Sequence, residues 1–280
     1  MRELLTMWRE TRMVMLVAVV AATYAATLFV FAGLVILPGF TGVRPGAVVP
    51  VVFGLMFGPA GAWGAAVGNL LNDVVTGQLT PGSPFGFLGN LVYGLLGYKL
   101  WGNLGPLSSG LAPDFRERPG RQLLEFVVVG LAATAACAAI IAWGLDLLGL
   151  FPFSVFATIV FLNNAIAVVV LGPPLLYLLY PRIEAMGLCY PDLLGDDELS
   201  RPGPSRARTA AFGLVAVSVA WLAAGIALSL GVTDVPFGLD EGAVFGQGGA
   251  IEVAILGGVA FLALLALTAI SGERLSTIGR

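Results

Sequence analysis

The chain has 280 residues, of which 58% are hydrophobic and only 11% are charged, and its mean hydropathy is +0.93. Soluble domains carry about 25% charged residues, so this supply is too small to cover a water-facing surface, whereas lipid tolerates the deficit. The net charge of −3 indicates no nucleic-acid partner, and the lack of histidine excludes His-based proteases, most zinc sites and haem ligation. The composition predicts a polytopic α-helical membrane protein that is not an enzyme and holds no metal.

Apolar segments occur throughout the chain, and a helix that spans a bilayer needs about 20 such residues. In chain order the segments cover residues 13–37, 46–57, 60–75, 85–101, 123–150, 153–180, 210–230 and 251–270. The second and third are short and are separated by Gly58 and Pro59, which indicates a broken helix. The polar stretch after the sixth segment is rich in proline, glycine and charge, as is typical of a linker.

This order of segments predicts an all-α integral membrane protein with three parts. Residues 1–187 would form a six-helix core, residues 188–209 a polar cytoplasmic linker, and residues 210–280 an additional transmembrane hairpin. With the N terminus in the cytoplasm, 13 of the 14 basic residues lie on the cytoplasmic side, and only Arg44 lies outside. Because basic residues are enriched in cytoplasmic loops, we expect a multi-pass protein of the cell membrane with both termini in the cytoplasm.

Polar side chains recur inside four of the core segments. They are Asn69, Asn72 and Asp73 in the third segment, Asn90 and Tyr93 in the fourth, Trp143 and Asp146 in the fifth, and Asn163 and Asn164 in the sixth. Such groups are costly in a membrane and are candidates for function. Their positions converge in the outer half of the bilayer, which predicts an outward-facing, partly polar pocket. Each asparagine could instead bond a neighbouring helix, and Asp146 is equally consistent with a plain carboxylate at a helix end.

Small residues form a strip along the first segment. Its members are Ala18, Ala21, Ala22, Ala25 and Ala26. Small side chains allow another helix to approach closely, so the strip is a candidate surface for docking another subunit, with internal packing as the alternative. The chain has no glycine-rich phosphate loop of the GxxxxGK[ST] type, so it cannot use ATP itself.

Two stretches carry a resemblance to a known family. The stretch VRPGAVVPVVFGLMFGPAGAWGAAVGNLLNDVVTG combines an arginine-bearing outer loop, a proline-interrupted short helix and a helix rich in glycine, asparagine and aspartate. Together with FLNNAIAVVVLGPPLLYLL in the sixth segment, it resembles the substrate-binding S components of prokaryotic energy-coupling factor transporters. The resemblance covers residues 10–187, and the hairpin lies outside it.

The resemblance implies a binding protein for a vitamin or similar micronutrient. A separate transmembrane coupling subunit and a pair of ATPases would drive it, so ATP would be used by the partners and no cofactor would be held by this chain. In the family the ligand lies near the outer face under the outer loops. The matching positions here are Arg44, Asn90, Tyr93, Trp143, Asp146, Asn163 and Asn164. The alanine strip is similar to the strip by which the family's first helix meets the coupling subunit.

Two other functions compete with this interpretation. A self-sufficient ion-coupled secondary transporter or a channel could use Asp73 as a coupling carboxylate, although such carriers usually show inverted repeats, and none is evident here. An intramembrane enzyme would have to rely on Asp73 and Asp146, which lie in no recognisable aspartyl-protease motif.

Overall fold

The computed structural model describes residues 1–31, 35–37, 41–42, 44–195, 198–199, 202–232 and 245–278. Its helices in chain order are α1 (Glu3–Thr6), α2 (Thr11–Phe31), α3 (Val49–Phe57), α4 (Pro59–Val75), α5 (Ser83–Leu100), α6 (Pro119–Leu147), α7 (Phe153–Ala185), α8 (Tyr190–Leu193), α9 (Pro204–Val232) and α10 (Ile251–Ile270). A short antiparallel pair, β1 (Val35–Leu37) and β2 (Thr41–Gly42), follows α2. Short 3-10 turns cover Met7–Arg9, Pro45–Val48, Gly105–Leu107 and Leu275–Thr277.

Five helices in the described part of the chain, α2, α6, α7, α9 and α10, are long and apolar enough to cross a membrane. The broken pair α3 and α4 and the helix α5 complete the bundle. Gly58 separates α3 from α4 with a φ of +53°, which glycine adopts readily, and Pro59 begins α4 where a missing N–H costs nothing. The fold is therefore the integral membrane helical bundle that the composition predicts.

Several element boundaries differ from the prediction, and three of them involve prolines. The first helix ends at Phe31 instead of Leu37, and Val35–Leu37 forms a strand, because Pro38 disfavours helical backbone at Leu37. The helix α7 continues past Tyr180 to Ala185 although it contains Pro173, Pro174 and Pro181, which membrane helices tolerate. The helix α9 begins inside the predicted linker, where Pro204 occupies its first turn.

Glycines allow the helices around the centre of the bundle to approach closely. Gly68 of α4 lies against the α2 backbone, where an added Cβ would stand 2.8 Å from the carbonyl oxygen of Ala21. Gly54 of α3 lies in the same way against the backbone of Gly94 in α5. Gly94 of α5 in turn lies against α4, where an added Cβ would stand 2.7 Å from the Cα of Ala62, so α4 and α5 also pack closely.

The C-terminal hairpin of α9 and α10 packs against α6 and α7. The indole of Trp143 in α6 lies between Trp221 of α9 and Phe261 of α10, with ring centroids 6.0 and 5.7 Å away. Its N–H donates to the carbonyl oxygen of Ala254 at 3.2 Å. Trp143 therefore holds both helices of the hairpin against α6 of the core.

The end of the bundle that carries the termini contains a buried ion pair. The Lys99 ammonium lies 2.5 Å from the Glu3 carboxylate, and both side chains are fully buried. Lys99 also donates to the carbonyl oxygen of Ser271 at 3.4 Å, so α1, α5 and the segment after α10 meet at this pair. Burial works to raise the pKa of Glu3, but the charge and hydrogen bond of Lys99 outweigh burial and hold that pKa below its ordinary value.

Candidate ligand-binding site

A polar cavity of about 170 Å³ opens at the other end of the bundle, where α2, α4 and α6 end and α5 and α7 begin. It continues into a more apolar outer chamber of about 610 Å³. The two share the side chains of Arg44, Gln78, Thr80, Leu145, Phe156, Val160 and Asn164. The inner cavity far exceeds the space of about 10–15 Å³ that one water needs, so the pair can hold a small organic molecule at the inner end of an open path.

Six of the predicted site residues line this space. Arg44, Asn69, Asp73, Asn90 and Asn164 line the inner cavity, and Asn163 lines the outer chamber. Helical spacing explains the arrangement on α4, because residues four apart lie on one face. Gly86 of α5 leaves room for the Asn69 side chain, because a Cβ at this position would stand 2.9 Å from the Asn69 amide nitrogen.

Asn90 is the buried amide of the inner cavity and is held from two sides. Its oxygen accepts a hydrogen bond from the Tyr24 hydroxyl at 2.9 Å, and its nitrogen donates to the carbonyl oxygen of Gly86 at 2.9 Å. These contacts fix the orientation of the amide and leave its second N–H for another acceptor.

Asn164 has fewer partners than Asn90 although it is also buried. Within the described part of the chain its amide nitrogen makes one long contact, 4.0 Å to Sγ of Cys137, and its amide oxygen accepts no hydrogen bond. Asn164 lines the cavity, and its amide oxygen is not among the fully buried polar atoms that lack a partner, so its unused hydrogen-bonding capacity faces space that water or a ligand can occupy.

Two opposite charges line the inner cavity, and Arg44 also lines the outer chamber. Arg44 is exposed, Asp73 is half-buried, and among the described residues neither forms an ion pair within 4.0 Å. The polar neighbours of Asp73 are Ser83 and Asn72. The carboxylate can accept two hydrogen bonds from a ligand, and the guanidinium can donate hydrogen bonds to a ligand.

The remaining predicted site residues lie outside the lining of the cavity, which corrects their expected position. Tyr93 is fully buried, and its hydroxyl bonds Oγ1 of Thr134 at 3.1 Å. Trp143 is occupied by the hairpin, and Asn72 is not part of the lining although it neighbours Asp73.

Asp146 bonds three backbone N–H groups and does not line the cavity. It is fully buried and accepts hydrogen bonds from the backbone N–H groups of Phe153 at 2.9 Å and of Gly249 and Ala250 at 3.2 Å. It thus joins the end of α6 to the start of α7 and to the segment before α10. A carboxylate with three donors has little capacity left for a ligand.

Some lining residues were not identified from the sequence. They include Tyr24, Gln78, Thr80, Ser83, Cys137 and Phe156. The polar residues Gln78, Thr80 and Ser83 lie between two predicted helices, and this pattern could have indicated that they line the site. Tyr24 was harder to identify, because it lies among the alanines that suggested a surface for docking another subunit.

The alanine strip divides between two faces of α2. Ala18, Ala22 and Ala26 are exposed and Ala25 is half-buried. Ala21 is buried against Gly68 of α4, so it belongs to internal packing and is removed from the candidate docking surface.

The comparisons with known proteins identify the family. Among curated proteins and among solved structures, none matches the chain. A family model described as QueT transporter matches residues 14–181, a range that contains every residue lining the inner cavity and ends before the hairpin. The chain therefore belongs to the QueT transporter family of energy-coupling factor S components, which are transport proteins and not enzymes.

Proposed function

We propose that the chain binds a queuosine precursor in the inner cavity and that separate coupling and ATPase subunits drive its uptake. The family serves micronutrient uptake, and its members transport queuosine precursors. The observation that carries the proposal is the Asn164 amide, buried at the cavity with unused hydrogen-bonding capacity.

The chemistry of the cavity suits such a ligand. Queuosine precursors contain a guanine-type ring, which presents adjacent N–H donors and a carbonyl acceptor on one edge. The Asp73 carboxylate can accept from two adjacent donors, and the Asn164 amide offers one donor group and one acceptor. Phe156 lines both chambers and provides an apolar surface for the flat ring.

The proposal also includes the orientation of the chain in the membrane and the surface that docks the coupling subunit. The asymmetry of basic residues favours cytoplasmic termini, and with that orientation the cavity at the opposite end faces outward. The exposed residues Ala18, Ala22 and Ala26 present a surface onto which a helix of the coupling subunit can pack closely.

Uptake into proteoliposomes tests this division of labour. The chain alone should bind labelled queuosine precursor without accumulating it, and accumulation should require the coupling subunit, the ATPases and ATP.

The variant Ala22→Leu tests the docking surface in the same assay. In the presence of these partners it should retain ligand binding but lose accumulation and co-purification with the coupling subunit, because a larger side chain prevents close helix contact.

A matched control is Ala220→Leu, which places the same side chain at an exposed position of α9, outside the matched family range. This variant should accumulate ligand like the unaltered chain. Accumulation by the chain alone, driven by an ion gradient, would contradict the proposal and support a self-sufficient carrier. Equal accumulation by both alanine variants would exclude the strip as the docking surface.

A further inference from the structure

A second cleft, of about 260 Å³, lies at the end of the bundle that carries the termini. It is located between the loop that follows α5 and the C-terminal hairpin. Three arginines line it: Arg121 from the first turn of α6, Arg208 from the first turns of α9, and Arg274 from the segment after α10. We call it the arginine cleft. Two of its arginines lie beyond residue 181, where the family match ends.

The three guanidinium groups remain available to a ligand. Among the described residues no carboxylate forms an ion pair with any of them, and the only hydrogen bond of their side chains within that part of the chain is from Arg121 to the carbonyl oxygen of Pro106 at 3.1 Å. A guanidinium has five N–H donors, so most of the donor capacity at this site is unused. Three unpaired like charges in one cleft repel each other unless an anion lies between them.

The loop after α5 is shaped to receive two of these side chains. Gly102, with a φ of +79°, lies against Arg274, where an added Cβ would stand 2.9 Å from the arginine Cβ. Gly105, with a φ of +56°, lies against Arg208, where an added Cβ would stand 2.9 Å from Nε. Glycine adopts this backbone conformation readily, and at Gly102 a side chain would also press on the first side-chain carbon of Arg274.

A buried carboxylate fixes the loop in place. Glu125 accepts hydrogen bonds from the N–H of Gly102 at 2.7 Å, from the N–H of Ser109 at 2.6 Å and from the Ser109 hydroxyl at 2.7 Å. Its oxygens are thereby used within the loop instead of by the arginines. The floor of the arginine cleft is thus a defined structure and not a chance gathering of surface charges.

The floor also contains an acceptor without a partner. Asn103 is 3% exposed, and its amide nitrogen donates to the carbonyl oxygens of Lys99 at 2.9 Å and Gly272 at 3.1 Å. Its amide oxygen has no hydrogen-bond partner among the described residues. That oxygen is itself buried, so Asn103 serves as a rigid part of the floor and does not bond a ligand through its oxygen.

We propose that the arginine cleft binds a phosphate group, from the headgroup of an anionic phospholipid or from free phosphate. Arginine forks match phosphate oxygens in geometry and charge. Since α6 and α9 begin here and α10 ends here, the cleft lies at the level of lipid headgroups. Arg121 belongs to the core and the other two arginines to the hairpin, so a bound phosphate would join the two parts.

Ligand-dependent melting of the delipidated, purified chain in detergent tests this proposal. The probes are phosphatidylglycerol, phosphatidylcholine and inorganic phosphate, with sodium chloride matched for ionic strength. We expect phosphatidylglycerol or inorganic phosphate to raise the melting temperature in a saturable way and phosphatidylcholine to have no such effect. A shift with phosphatidylglycerol alone assigns the lipid as the source, and a shift with both assigns the phosphate group itself.

Variants make the test specific to the site. Arg208→Gln and Arg274→Gln should each weaken the apparent affinity for the effective probe about tenfold, as expected for the loss of one charge-assisted contact. Arg206→Gln is the matched control, because Arg206 is exposed, lies two residues away on the same helix and is absent from the lining. No shift with either phosphate probe, or an equal loss in Arg206→Gln, would overturn the proposal.

Discussion

Replacing Lys99 with methionine is expected to lower the free energy of unfolding by about 3–5 kcal/mol, the cost of breaking a buried ion pair. The substitution leaves the Glu3 carboxylate fully buried without the ammonium that lies 2.5 Å from it. The N-terminal ammonium of Met1 is 3.1 Å away but is 31% exposed, so solvent screens it more than Lys99. Unfolding titrations of the purified chain in mixed micelles measure the loss.

The double variant with Glu3→Leu and Lys99→Met is the control. It removes both charges, so no uncompensated carboxylate remains, and it should recover most of the stability that the single variant loses. If Lys99→Met is as stable as the unaltered chain, or if the double variant is no better than the single one, the ion pair does not hold this end of the bundle together.

The same pair gives a pH dependence of known sign. The pKa of Glu3 in the folded chain lies below the ordinary value of 4.5. A carboxyl with a lowered folded-state pKa contributes stability that is present above its unfolded pKa and is lost as the pH falls through the folded value. The unaltered chain should therefore lose stability below about pH 4.5, and the double variant should lack this component of the loss.

Replacing Asp73 with asparagine is expected to weaken binding of the queuosine precursor by about 1–3 kcal/mol, or roughly 5- to 150-fold in affinity. The change keeps the shape of the side chain but removes the charge and one of the two acceptor oxygens that would receive the ring N–H groups. Asn164→Ala should have an effect of similar size. Asp73 forms no ion pair with a described residue, so melting of the ligand-free chain should change little.

The matched control is Asp146→Asn, the same chemical change in a carboxylate outside the cavity. It should leave affinity unaltered and lower the stability of the ligand-free chain, because three backbone N–H groups lose a charged acceptor. Titration and melting of both variants separate the two roles. Unchanged affinity in both Asp73→Asn and Asn164→Ala would remove the cavity as the binding site.

Local patterns were sufficient to predict much of this architecture. Gly58 and Pro59 predict the break between α3 and α4, because one permits the turn and the other begins the next helix. The spacing of Asn69 and Asp73 predicts their shared face on α4, and both line the cavity. In each case the signal lies within a few residues of the feature.

The sequence was less informative where the partner of a residue lies far along the chain. Trp143 and Asp146 do share a helical face, but that face meets Ala254, Gly249 and Ala250 of the hairpin, more than 100 residues away. Ala21 cannot be separated from Ala22 without knowing that Gly68 of α4 lies against it. The spacing of residues on a helix gives their shared face but does not identify the element that the face meets.

The most direct test of the account is the position of a queuosine precursor in an experimental structure of the purified chain. The guanine-type edge of the ring should lie within hydrogen-bonding distance of the Asp73 carboxylate and the Asn164 amide, in the inner cavity between α4, α5 and α7. A ligand ordered at another place on the chain, or an inner cavity filled with water at a saturating ligand concentration, would contradict it.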